Sequence, residues 1–154
     1  MTFLLKGIFT KSTNDNIISL ARSKWHKLRI KKFEGELVGI GIVAPDLTYR
    51  AIDDDYEECE EINNKIENEL QDFSKIFPET TFAYVFVDCF GGYCQYTGFV
   101  CKNGEKIVDY SNAIGEIQPN EEQTKVLKKI LEEVGFSVEE NGYFEPFTRG
   151  YFTE

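Results

Sequence analysis

With 42% hydrophobic and 14% aromatic residues, the 154-residue chain is too apolar for a disordered segment and fits one globular domain, residues 1–154. Its 27 acidic and 17 basic residues give a formal net charge of -10. This net charge argues against nucleic acid as a partner for the chain as a whole, because phosphate binding depends on Lys and Arg. The apolar runs are shorter than the roughly 18 residues of a membrane-spanning helix, so we expect no membrane contact.

The first part of the chain predicts a strand, a helix and a second strand. Residues 3–10 form an apolar run typical of a strand, and the hydroxyl and amide side chains of residues 12–15 can cap a following helix. Residues 36–43 predict the next strand, and residues 47–52 a short further one. The predicted helix has an apolar face with spacings of three and four, formed by Ile17, Ile18, Ala21, Trp25 and Leu28.

Six basic residues fall within positions 22–32, and we expect them on the solvated side of this first helix. They are the one stretch where nucleic acid could bind. The net negative charge of the whole chain nevertheless argues against nucleic acid as a partner.

An acidic stretch opens a second predicted helix. Residues 55–77 carry an apolar stripe at helical spacing, and Pro78 ends it. The carboxylates of residues 53–55 suit the positive end of the helix dipole. A calcium loop needs a glycine at its sixth position, where this stretch has Glu58. We predict a partner-binding surface, with no metal, at Asp53, Asp54, Glu57, Glu58, Glu60 and Glu61.

Residues 80–111 predict a central meander of three antiparallel strands. The dipeptides at 91–92 (Gly-Gly) and 103–104 (Asn-Gly) are hairpin turns. A two-residue first turn places Cys89 and Cys94 opposite each other. We expect these two cysteines to be thiols, as is usual in the cytoplasm, with a disulfide as the alternative.

The C-terminal third predicts one more helix and an aromatic tail. Asn120 and Gln123 form a capping-box-like start, and Gly135 suits a helix C-terminus. Residues 143–152 contain five aromatic side chains and one arginine. This tail either closes the core as a last strand or hairpin, or it forms a binding interface.

These elements define an α+β fold: an antiparallel, or in part mixed, sheet of five to six strands with about three helices. Catalytic signatures are scarce. The single histidine, His26, stands among lysines, no nucleophile motif or glycine-rich phosphate loop occurs, and the cysteine spacing does not fit zinc. We therefore expect no cofactor, and a binding protein rather than an enzyme.

Three functions remain open. The first is a cytoplasmic acidic module that masks a basic protein, comparable in size and composition to bacterial immunity proteins that neutralise nuclease toxins. The second is a small-molecule-binding domain or an enzyme of unfamiliar type, with a pocket between sheet and helices at Asp88, Tyr96 and Arg149. The third is a homo-oligomeric structural protein that uses the aromatic tail.

Overall fold

A computed structural model describes most of the chain. The described residues are 2–25, 29–33, 35–43, 68–90, 93–110, 120–140, 143–148 and 151–152. None of the helices within these ranges is long and apolar enough to span a membrane.

Six strands form one fully antiparallel sheet in the order β2-β3-β1-β4-β5-β6. The predicted α+β fold and the predicted meander, which is β4-β5-β6, are thereby confirmed. The strands are β1 (Thr2–Thr10), β2 (Arg29–Lys32), β3 (Ile40–Val43), β4 (Thr81–Phe90), β5 (Tyr93–Lys102) and β6 (Glu105–Tyr110).

Within the described ranges, three α-helical segments cover the two faces of this sheet. They are α1 (Asp15–Lys24), α2 (residues 68–76) and α3 (Asn120–Val134). The Asn14 side chain caps α1 by accepting a hydrogen bond from the Asn16 N–H at 3.0 Å. At the other end of the sequence, Gly135 closes α3 with a φ of 109°, and the Phe136 N–H donates to the Leu131 carbonyl at 3.0 Å.

One face of the sheet, which we call the helix-pair face, packs against α1 and α2. Trp25 joins the two helices: its ring centroid lies 5.3 Å from that of Phe73, and its Nε1–H donates to Glu69 at 2.7 Å. The buried residues of this face are Ile8, Ile17, Ala21, Trp25, Ile40, Ile42, Leu70, Phe73, Phe82, Tyr84, Phe99 and Cys101.

The opposite face, which we call the tail face, packs against α3 and the chain beyond it. Phe9 of β1 contacts the rings of Phe144, Phe147 and Phe152, with centroids 5.2 to 6.4 Å apart. These three rings of the aromatic tail therefore pack in the core, whereas Tyr143 is exposed. Within its described residues it forms a 3-10 helix (Glu145–Phe147), which contains Pro146, instead of the predicted strand.

Helix α2 is fastened to the turn between β5 and β6. The Ser74 hydroxyl accepts a hydrogen bond from the Gly104 N–H at 2.8 Å and donates one to the Gln71 carbonyl at 2.8 Å. Asn103 and Gly104 have φ values of 50° and 81°, as the predicted Asn-Gly hairpin requires. Burial of Ser74 makes this contact part of the core.

The predicted first helix is wrong in its C-terminal part. Helix α1 ends at Lys24, and Trp25 is extended, with φ -121° and ψ 147°. Arg29–Lys32 then forms β2, whose Ile30 packs against the helix-pair face. This short edge strand contains three charged residues and one isoleucine. It therefore lacks the alternation of apolar and polar residues from which a strand is predicted. Residue 28 and the predicted strand at 47–52 lie outside the described residues.

Candidate functional site

The predicted partner-binding carboxylates, Asp53, Asp54, Glu57, Glu58, Glu60 and Glu61, lie outside the described residues. They belong to residues 44–67, which contain nine acidic and two basic residues and so carry a net charge of -7. The described residues on either side of this segment pack in the core: Val43 at the end of β3 and Leu70 of α2 are both buried. The acidic surface itself stays a prediction.

The predicted pocket is described only in part. Tyr96 of β5 pairs with Val87 and packs, half-buried, on the tail face. Burial raises the pKa of the Tyr96 phenol above its usual value of 10.0. The backbone of Asp88 pairs with Leu4 and Gln95, and Arg149 lies outside the described residues. A pocket that joins these three residues stays a prediction.

Tyr96 takes part in a contact that the sequence did not reveal. Its backbone N–H points away from β4, beyond Gly98 and Tyr110, the last pair of β5 with β6 among the described residues. The buried side chain of Gln123, in α3, accepts a hydrogen bond from this N–H at 2.8 Å. Gln123 was expected to cap its own helix. It instead supplies an acceptor for this N–H on the side of β5 that faces away from β4.

The most unusual residue of the described core is Lys6, in the central strand β1. Its side chain is 1% exposed, and its ammonium lies 4.5 Å from the ring centroid of Phe86 on β4. Phe86 pairs in turn with Thr97 of β5, which is also buried. A lysine, a phenylalanine and a threonine thus line up across three strands on the helix-pair face.

Sequence reasoning missed Lys6 because a lysine in a strand is usually assigned to a solvated face. The signal that could have found it is the run around it: residues 3–9 are otherwise apolar or glycine. Such a near-continuous run is typical of a central strand covered on both faces, where even a lysine must be buried. A buried ammonium is costly unless polar groups or aromatic faces surround it, which makes such a residue a functional candidate.

The cysteines also differ from the expectation. Cys89 and Cys94 pair as predicted, with Cα atoms 4.0 Å apart, but a disulfide joins them. The expectation of two thiols is therefore wrong, and the alternative holds. Because these two cysteines are not thiols, they no longer support a location in a reducing compartment.

Cys101 remains a buried thiol in the helix-pair face. Burial raises its pKa to about 11, against smaller opposing effects of the Ser74 hydrogen bond and the charge of Lys106. A thiol this weakly acidic is a poor nucleophile at neutral pH. Within the described ranges, no group of three or more His, Cys, Asp or Glu side chains is arranged to hold a metal ion.

Comparison with known proteins adds no family to this picture. No protein-family model matches the chain, and neither the curated proteins nor the solved structures give a significant match.

Proposed function

We propose that the protein is an acidic protein-binding module that masks a basic partner through the carboxylates of residues 53–61, in the way that an immunity protein neutralises a nuclease toxin. A cytoplasmic location belongs to the same proposal. The main observation in support of this binding role is the uneven distribution of charge along the chain.

The described residues are close to neutral as a set. They include 15 acidic and 13 basic residues, a net charge of -2, whereas the whole chain has -10. Residues 44–67 alone contribute -7. A charge concentrated in one segment produces a local field that steers an oppositely charged protein into contact.

The architecture favours a binding role for that segment. Binding residues commonly lie on segments that connect the helices and strands of a rigid scaffold, because the scaffold residues themselves pack in the core. Here both faces of the sheet are covered, and the aromatic tail, the other candidate interface, contributes the buried rings of Phe144 and Phe152 to the core. The acidic segment connects β3 to α2 in this scaffold.

The proposal is tested by capture from a lysate of the native host with two charge-matched variants. The segment variant carries D53N, D54N, E57Q, E58Q, E60Q and E61Q. The control variant loses the same number of exposed carboxylates elsewhere, through E79Q, E105Q, E132Q, E133Q, E139Q and E145Q.

We expect the wild type and the control variant to retain the same basic protein, identified by mass spectrometry, and the segment variant to lose it. Thermal unfolding of all three proteins shows that each is folded. Equal capture by both variants, or capture of acidic proteins only, would contradict the proposal.

A further inference from the structure

The structure places a group of basic side chains at one edge of the sheet. We call it the basic edge, and it comprises Arg22, Lys24, Arg29, Lys31 and Lys32. Residues 2–43 hold eight basic and three acidic residues, a net charge of +5. All five side chains of the basic edge are cationic, in a protein whose overall charge is strongly negative.

Strand β2 forms the centre of the basic edge. It is the terminal strand of the sheet order, and within the described part of the chain it pairs only with β3. Three of its four residues are basic. At the other terminal strand, β6, one lysine stands against two acidic residues. The two edges therefore differ in charge, and β2 is the cationic one.

The ladder shows which backbone groups β2 presents to its open side. The Phe33 N–H donates to the Gly39 carbonyl at 2.9 Å, and this pair continues the register of β2 with β3. In antiparallel strands, residues that bond to the neighbour alternate with residues that point away from it. Arg29 and Lys31 therefore bond to β3. The N–H and C=O groups of Ile30 and Lys32 point away from β3, toward the side of β2 on which no strand of the described residues pairs.

Basic side chains flank this edge on both faces of the sheet. Lys31 lies on the tail face, with its Nζ 4.1 Å from the ring centroid of Tyr151. Lys32 lies on the helix-pair face, where it forms an ion pair with Asp15. Arg22 and Lys24 are exposed in the last turn of α1. Among the described acidic residues, none forms an ion pair with Arg22, Lys24 or Arg29.

We propose that the basic edge binds an acidic polypeptide segment in extended conformation, which adds to β2 as a further strand. The backbone of such a segment would bond to the open N–H and C=O groups of Ile30 and Lys32. Its carboxylates would lie beside Arg29, Lys31 and Lys32. This activity is separate from the masking of a basic partner by residues 53–61.

Two features of the edge favour an acidic polypeptide over other occupants. A nucleic acid could use the positive charge but not the alternating N–H and C=O groups of a strand edge, which match a polypeptide backbone. A second copy that paired its own β2 with this one would bring three basic residues against three. Like charges on paired strands are unfavourable.

The test uses a defined probe, the fluorescently labelled twelve-residue peptide of six Glu-Val repeats. Its control has the same composition and charge but carries D-valine at each valine, so it cannot form a regular strand. A dodecamer of thymidylate serves as the nucleic-acid arm. Binding is followed by fluorescence anisotropy at low salt.

Two double variants distinguish binding at the basic edge from nonspecific attraction to the charge of the protein. R29Q/K32Q removes two cations of the basic edge, whereas K102Q/K129Q removes two exposed lysines elsewhere. We expect R29Q/K32Q to weaken binding of the all-L peptide about tenfold, because it removes two side-chain charges that attract the peptide carboxylates. We expect K102Q/K129Q to change it less than about twofold. The D-valine peptide should bind at least about tenfold more weakly than the all-L peptide.

Amide hydrogen exchange gives a second readout that depends on register. Peptide binding should slow exchange at Ile30 and Lys32, whose N–H groups face the open edge, and leave Arg29 and Lys31 unchanged. Slow exchange at Ile30 and Lys32 in the free protein, together with a dimer mass, would show that a second copy occupies the edge.

Three further results would overturn the proposal. Tighter binding of the oligonucleotide than of the peptide would make the edge a phosphate-binding surface. Equal binding of the all-L and D-valine peptides would show attraction by charge without strand addition. No binding by any probe would leave the lysines of β2 with the role of keeping other strands away from the edge.

Discussion

Lys6 of β1 and Phe86 of β4 pair across the centre of the sheet, and the lysine ammonium lies 4.5 Å from the centroid of the phenylalanine ring. Lys6 is almost fully buried, and Phe86 is buried beside it. In such a dry environment, a cation over an aromatic face contributes about 2 kcal/mol. The aliphatic part of the lysine also fills core volume that an apolar residue would otherwise occupy.

We predict that Lys6→Ala lowers the free energy of unfolding by about 2–4 kcal/mol, because it removes both the ring contact and buried side-chain volume. Lys6→Met keeps most of the volume and should cost less. Urea unfolding measures both effects. The exposed Lys102→Ala is the control and should stay within about 0.5 kcal/mol of the wild type. A Lys6→Ala variant as stable as this control would contradict the packing described.

The contact between Gln123 and Tyr96 gives a second prediction. Gln123→Ala leaves the Tyr96 N–H without its acceptor, so we expect a loss of about 1–3 kcal/mol. Amide exchange at Tyr96 should accelerate beyond what this global loss explains. Lys129→Ala, at an exposed position of the same helix, controls for helix propensity and should leave that amide unchanged.

The disulfide gives a third prediction. After reduction, the denatured protein should show two more reactive thiols than the unreduced sample, which correspond to Cys89 and Cys94. Because the closed loop is short, reduction should lower the free energy of unfolding by about 2 kcal/mol. The double variant C89S/C94S should reproduce this loss and abolish the difference in thiol count. An equal count before and after reduction would show that the bond is absent.

Cys101 supplies a prediction about pH. Its pKa of about 11 in the folded protein exceeds the ordinary value of 9.0, so the folded state keeps a proton that the unfolded state releases between these values. Stability should therefore fall as the pH rises from 9 to 11. In Cys101→Ala this fall should be smaller. Native Cys101 should also resist iodoacetamide at pH 9, whereas the unfolded chain reacts; fast native alkylation would contradict its burial.

The elements that the sequence predicted well are those with strong local signals. The meander follows from its Gly-Gly and Asn-Gly dipeptides, and α3 ends before Gly135, as that glycine indicated. These signals act within a few residues. Tertiary context was not needed to interpret them.

The features that the sequence did not reveal depend on tertiary context. Strand β2 lacks apolar alternation because it lies at an edge, and Lys6 is buried only because both faces of β1 are covered. Gln123 bonds to the backbone of β5, 27 residues away in the sequence, and no local pattern predicts such a contact. The partner-binding carboxylates of residues 53–61 lie outside the described residues, so that part of the site stays a prediction.

If residues 53–61 attract a basic partner, the association rate constant for the captured basic protein should depend on salt concentration. Electrostatic steering predicts that the wild type and the E79Q/E105Q/E132Q/E133Q/E139Q/E145Q control lose about tenfold or more in this rate between about 0.05 and 0.5 M salt. The variant with the six substitutions between residues 53 and 61 should associate slowly already at low salt, and its rate constant should change little as the salt concentration rises. A rate that is independent of salt, or equal in the two variants, would contradict the claim.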